Sequence, residues 1–353
     1  GLLRSIHIWY CNIIYMKPKF IMSTGTGWSA TTPLWYTLML DNKYLHTGFR
    51  KEGSYLNSLA MTPEQRLRDG LHNRKLKKLS TYEKTKKMSK RVLAERDEYR
   101  KTRMLEINSD LPSWNYKGSL AAIREDLYLT QEDIDAFITP PYTLEKYITY
   151  YKTVWETLQE NNCPYQAVAD LSNTNAFLSE SFIESTIPKL QEHFDVKVIM
   201  LVRDPIRRLW SESGAFLDGD LESIERAFLE RVMTRRYYNY LEIIDKWEKV
   251  APVHVVIMEQ LWEGYEQDEE KYKLSKFLEY DIGEIHQNVY SPDYGPNAPH
   301  YPGLVDQWTS DKYFLREELY HKVKPLFPVY QEWVDKYGSL PLYWGQPYNY
   351  AKT

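Results

Sequence analysis

Phe20-Ile-Met-Ser-Thr-Gly-Thr-Gly-Trp-Ser-Ala-Thr-Thr-Pro-Leu34 is the stretch on which the reading of this chain turns. Phe20 to Met22 is a short apolar run suited to a central strand, Gly25 and Gly27 permit a tight turn, and Thr31 to Leu40 reads as an apolar helix. A strand that passes through a glycine turn into a helix leaves unpaired backbone N–H groups at the positive end of the helix dipole, where an anion is the natural occupant. The turn residues separate the chemistries that share this pattern. A phosphate loop of the Gly-Lys-[Ser/Thr] kind is excluded, because Ala30-Thr31-Thr32 stands at the helix start. Gly25-Thr26-Gly27-Trp28-Ser29-Ala30 fits the G-x-G-x-x-A of dinucleotide-binding folds, but that motif also calls for a second buried strand ending in an acidic residue about twenty positions later. Asp41 to Leu56 is polar and broken by glycines, and is not expected to form that strand. A third reading depends on residues further along the chain.

At 353 residues the chain can bury one large core, and a single domain carrying an insertion is expected. Its net charge of −4 says nothing about partners. Two cysteines, Cys11 and Cys163, make neither a disulfide framework nor a metal spacing, which is compatible with a reducing compartment. The 30 Tyr and 11 Trp suit sugar-stacking surfaces and equally supply core and interface. Residues 1–15 are apolar but interrupted by Arg4, His7 and Asn12, short of the roughly 20 residues a membrane span needs. They are expected to be a non-native or loosely attached arm, with Met16 as the natural start and residues 16–353 as the domain. No other stretch is long and apolar enough to span a bilayer, so a soluble protein, cytoplasmic or similar, without membrane contact is expected.

Tyr44-Leu-His-Thr-Gly-Phe-Arg-Lys-Glu-Gly-Ser-Tyr-Leu56 sets His46, Arg50, Lys51 and Glu52 close behind the glycine turn. His46 is a candidate base, its ordinary pKa near 6.5 being suited to the role. Thr62-Pro63-Glu64-Gln65 is a helix start, with Thr as N-cap, Pro first and Gln third. Residues 61–103 carry 15 Lys and Arg against 6 Asp and Glu, in an otherwise acidic chain. A basic helical insertion over about residues 61–140 is expected, either a solvated hairpin or a surface that steers an anionic substrate. Its few interleaved aromatics argue against nucleic acid.

Leu144 to Gln159 is an amphipathic helix, Tyr165 to Asp170 a short buried strand, and Leu171-Ser-Asn-Thr-Asn-Ala-Phe177 a polar turn at its carboxyl end. Open α/β sheets bind ligands at such ends, which makes Asp170 a further candidate base. Residues 181–194 form a helix kinked at Pro188. Val196 to Val202 is the clearest buried strand and runs into Arg203-Asp-Pro-Ile-Arg-Arg-Leu-Trp-Ser211. Asp204 is a natural N-cap and Pro205 a natural first helical residue, so Arg207 and Ser211 share a helix face. Arg203 at the strand end and Ser211 two turns on are suited to gripping one phosphate, Arg by its planar fork and Ser by its hydroxyl. A helix from Glu222 to Val250, a strand from Val253 to Met258, a helix ending near Leu278 and a helix from Ser310 to Lys336 broken at Pro325 follow. Strands alternating with helices give an α/β class, a parallel sheet flanked by helices.

Together these pieces resemble the sulfotransferases that use 3′-phosphoadenosine 5′-phosphosulfate (PAPS), over most of residues 18–345. Trp28-Ser-Ala-Thr-Thr-Pro-Leu34 is similar to the family's 5′-phosphosulfate loop, Arg203 and Ser211 match its 3′-phosphate pair, and Met258-Glu-Gln-Leu261 resembles the Tyr-Glu-Asp-Leu that ends a later strand. Within the family the similarity is closer to the Golgi-type carbohydrate enzymes, such as the heparan sulfate sulfotransferases. Lys51-Glu-Gly-Ser-Tyr-Leu56 resembles their segment with the catalytic glutamate, which implies Glu52 as base. Asp170-Leu-Ser-Asn-Thr-Asn175 falls at their substrate-side loop, and Tyr301-Pro-Gly is similar to their C-terminal nucleotide loop.

The resemblance implies a P-loop-NTPase-like sheet and a donor site formed by Gly27, Trp28, Ser29, Ala30, Thr31, Thr32, Pro33, Arg203, Arg207, Ser211 and Tyr301. It implies PAPS as co-substrate, no metal, and an acceptor hydroxyl or amine, with a saccharide contacting the basic 61–103 segment as expected partner. Glu52 would take the acceptor's proton, with His46 and Asp170 as the other candidates. The chain departs from the family at Trp28, where a Lys or Arg ordinarily meets the charge that develops as the sulfuryl group leaves. Two alternatives follow: a catalytically silent protein that binds adenosine 3′,5′-bisphosphate, and a dinucleotide-dependent oxidoreductase built on the G-x-G-x-x-A turn.

Overall fold

Four apolar runs and one two-residue segment become strands: β1 Lys19–Ser23, β2 Leu45–His46, β3 Ala167–Asp170, β4 Asp195–Val202 and β5 Val253–Ile257. The structure, a computed structural model, describes residues 17–25, 31–48, 54–61, 133, 136–137, 141–215, 221–234, 239–262, 266–285, 322–341 and 344. The strands form one parallel sheet in the order β2-β3-β1-β4-β5. Phe20 at its centre lies opposite Val168 on β3 and Val196 on β4. All seven residues from Val196 to Val202 are buried. Consecutive side chains of a strand point to opposite faces, so such a run requires helices over both.

The helices among the described residues include α1 Thr31–Trp35, α2 Tyr55–Ala60, α3 Leu144–Glu160, α4 Glu180–Gln191, α5 Pro205–Ala215, α6 Leu221–Thr234, α7 Tyr240–Glu248, α8 Met258–Trp262, α9 Gln267–Leu278 and α10 Phe327–Tyr337. An aromatic cluster seats α3 on the sheet: Phe20 meets Tyr151 edge-on at 4.7 Å, and Tyr147 packs 5.0 Å from Tyr151. Such pairs add about 0.5–1.5 kcal/mol beyond the area they bury. At the amino-terminal end of the sheet, Lys19 Nζ and Lys197 Nζ donate to the carbonyls of Leu278 and Phe277 at the end of α9 and pair with Glu279. Two cations there oppose the negative end of the α9 dipole.

The structure departs from the sequence expectations in three places. The polar segment after α1 does contribute a strand, since β2 pairs with β3 at the sheet edge; with two residues it has no apolar run to betray it. The helix begun at Thr31 widens into a π-helix over Tyr36–Asp41, where Thr37 Oγ1 donates to the Pro33 carbonyl and Asn42 N reaches back five residues to the Thr37 carbonyl. The helix expected over Glu222–Val250 is two helices, α7 restarting where Asn239 caps it by accepting from Glu242 N. As expected, α4 carries Pro188 inside it, ending at Gln191, and the break expected at Pro325 is a 3₁₀ turn over Lys324–Leu326. Residues 1–15, the 286–321 segment and nearly all of the expected basic insertion lie outside the described residues.

Candidate functional site

The strand order reverses between β1 and β4: the chain leaves β1 for β2 on one side and leaves β4 for β5 on the other. In open parallel sheets ligands occupy the crevice outside the carboxyl ends of the strands at such a point. β1 ends there in Thr24 and Gly25, held against β4 by Thr24 N donating to the Ile199 carbonyl at 3.0 Å. A Cβ on Gly25 would lie 3.0 Å from Leu201 Cβ and 3.2 Å from the Leu201 backbone N and O. The obstacle is a central strand, so only glycine lets the chain pass this close.

Two polar atoms beside this turn are unspent. Thr24 Oγ1 is buried and has no hydrogen-bond partner among the described residues. Asn175 Nδ2 donates to the Ser23 carbonyl, which fixes its amide, and Asn175 Oδ1 is likewise buried without a partner among them. Asn175 belongs to a 3₁₀ turn, Asn173–Phe177, at the carboxyl end of β3. Lys246 of α7 holds the end of that turn by donating to the Ala176 and Leu178 carbonyls, and burial lowers the Lys246 pKa.

Across the crevice β4 ends in Arg203 and Asp204, both buried. Asp204 Oδ1 accepts from Ile206 N at 2.9 Å and Arg207 N at 3.0 Å, the N-cap that the sequence predicts for α5. Tyr330 of α10 donates to the same oxygen at 3.0 Å, and Tyr240 of α7 donates to the Arg203 carbonyl at 2.8 Å. Glu259, fully buried in α8, closes the group: Oε1 accepts from Asp204 N at 2.9 Å and Oε2 from Trp344 Nε1 at 3.0 Å. Burial pushes the Glu259 carboxyl up to about 7, against the pull of Arg203 and with a push from Asp204. Glu259 appeared in the sequence only as part of Met258-Glu-Gln-Leu261; nothing in the pattern pairs it with Trp344, 85 residues on.

The candidate bases are placed unequally. His46, at the carboxyl end of β2, is fully buried; its Nδ1 accepts from Gly48 N at 3.0 Å, and its ring meets Tyr165 edge-on at 4.9 Å. Asp170, at the end of β3, is also buried. One of its oxygens accepts from Ser172 N and Oγ and the other from Tyr147 Oη at 2.7 Å. Ser172 Oγ in turn accepts from Ser54 N, which ties the start of α2 to the end of β3. The contacts give Asp170 the work of holding two turns together. Glu52 lies outside the described residues, between Gly48 and Ser54.

Of the expected donor-site residues, Arg203 and the half-buried Arg207 stand at the start of α5, and Ser211 lies further along the same helix. Thr31, Thr32 and Pro33 open α1; Gly27, Trp28, Ser29, Ala30 and Tyr301 lie outside the described residues. Among the described residues no group of three or more His, Cys, Asp or Glu could hold a metal, and no helix is long and apolar enough to cross a membrane. No protein-family model matches the chain, and no curated protein matches it at a significant level.

Proposed function

We propose that the β1–β4 crevice is the donor site of a sulfotransferase that moves a sulfuryl group from PAPS to an acceptor hydroxyl or amine, with a saccharide as acceptor. The observation that carries this is the buried Arg203 at the end of β4, on the far side of a topological switch from a glycine turn pressed against that strand. An arginine fork whose flanking backbone is tethered by Tyr240 and Glu259 is suited to a terminal phosphate. The resemblance of Trp28 to Leu34 and of Arg203 with Ser211 to the sulfotransferase motifs selects this ligand from other nucleotides. A P-loop-like sheet with a basic insertion over 61–140 belongs to the same reading.

In this reading the turn from Gly27 to Pro33 cradles the 5′-phosphosulfate, Arg203, Arg207 and Ser211 hold the 3′-phosphate, and Tyr301 lies against the nucleotide. Glu52 takes the proton as the acceptor oxygen or nitrogen attacks sulfur; the new bond to sulfur forms as the bond to the bridging oxygen breaks, and adenosine 3′,5′-bisphosphate leaves. General-base assistance is worth about 10² to 10⁴ in rate, and in-line positioning supplies more.

Titration calorimetry with adenosine 3′,5′-bisphosphate tests the site without knowledge of the acceptor. Micromolar binding by the wild type, weakened about tenfold or more in Arg203→Ala, is the expected result. No binding by the wild type would withdraw the proposal. Trp28, in place of the usual cation, favours a second reading, a silent bisphosphate-binding protein; binding without sulfuryl transfer to any saccharide acceptor would select it.

A further inference from the structure

We propose that Glu259 is a positioning residue for Arg203, and that a phosphate dianion entering the crevice drives a proton onto the Glu259 carboxylate. The inference rests on the donor-site reading above and names the group that links that site to pH. Glu259 is fully buried and joins three separate parts of the chain: the end of β5, the Arg203–Asp204 corner and Trp344.

The corner it holds is unusual in its charge. Asp204 N would ordinarily be satisfied by a neutral carbonyl; here a buried carboxylate accepts it. The described charged and titratable groups facing Glu259 are Arg203, Asp204 and Arg207 from the β4–α5 corner. Tyr330 and Tyr240 stand one contact further out, on Asp204 and on the Arg203 carbonyl. The contribution from the C-terminal segment is the Trp344 indole, a donor that does not titrate.

Two carboxylates therefore share the field of two arginines. A phosphate dianion at the arginines adds negative charge to the same corner and competes with Glu259 for that field. The competition has a cheap outcome, since burial has already brought the carboxyl to about 7, within reach of protonation. Proton uptake then relieves the like-charge repulsion while the carboxyl's second oxygen continues to accept from one of its two donors.

The test is calorimetric titration with adenosine 3′,5′-bisphosphate between pH 6.5 and 8.5, in pairs of buffers that differ in ionisation enthalpy. The wild type is expected to take up a proton on binding near pH 7.5 and to lose up to about tenfold in affinity across the range. Glu259→Gln, nearly the same shape, is expected to show no uptake, only the small proton release of the ligand's own phosphates, and an affinity that does not fall as pH rises. Trp344→Phe removes one donor to the carboxylate, so its affinity loss is expected to move to higher pH; this variant carries the test should Glu259→Gln not fold. Equal proton uptake in the wild type and Glu259→Gln, or a pH profile unmoved by Trp344→Phe, overturns the proposal and leaves the donor site standing. Absence of any binding by the wild type overturns both.

Discussion

A methyl group at Gly48 would place its carbon 2.1 Å from Tyr150 Oη, at a φ of +73°. Either condition alone disfavours a side chain; together they make Gly48→Ala a substitution expected to cost about 2–4 kcal/mol in urea denaturation. The same position fixes His46, because Gly48 N is the donor to its Nδ1. Gly25 is a glycine for a different reason, the closeness of the Leu201 backbone. These constraints were half visible in the sequence. Gly25 stood in a strand–turn–helix pattern that announced it, whereas the need at Gly48 depends on Tyr150, a hundred residues away, and no local pattern carries it. Asp170 shows the same limit: its place at a strand end marked it as a base, and its hydrogen bonds to Ser172 and Tyr147 emerge only from the packing.

At the scale of elements, α5 depends on the residue just before its first, the N-cap Asp204. Asp204 caps Ile206 N and Arg207 N and receives Tyr330 Oη, so Asp204→Ala removes a helix cap together with the acceptor for a buried hydroxyl. A stability loss of about 2–4 kcal/mol is expected, again by urea denaturation, with Asp204→Asn losing about half of that because the amide oxygen still caps. This cap was legible from Asp204-Pro205 alone, as were β1, β3, β4 and β5 from their apolar runs. What escaped was β2 and the interruption between α6 and α7. A two-residue strand exists because β3 offers it an edge, and the restart at Asn239 comes from a side-chain cap inside a stretch whose helical periodicity gives no sign of a break.

At the scale of the molecule, two buried groups set opposing demands on pH. His254, stacked on Phe277, is brought down to about 4 by burial and by the nearby Lys273, while Glu259 is brought up to about 7. The stabilisation from a neutral His254 is complete above its ordinary value of 6.5 and is lost as pH falls towards about 4. That from a protonated Glu259 is complete below its ordinary 4.5 and is lost as pH rises towards about 7. Each runs at roughly 1.4 kcal/mol per pH unit, so across the shared window, pH 4.5 to 6.5, they cancel. Relative to the wild type, His254→Gln is expected to add a downward slope of stability with pH there and Glu259→Gln an upward one, both read from denaturant midpoints in a pH series.

The sheet order itself was not written in any run of residues. Strand identity is local, but which strands become neighbours is decided by crossovers that span as much as the whole stretch between β2 and β3.

The reach of Trp344 to Glu259 also concerns how the protein is made. β1 to β5 have all left the ribosome before position 344 is translated, so the described sheet can assemble while the corner at Arg203 and Asp204 still lacks its Trp344 tether. The nascent chain thus acquires its scaffold first and its finished crevice last, and a product ending before the aromatic tail would have the architecture of the sheet without the full set of contacts that holds the Arg203–Asp204 corner.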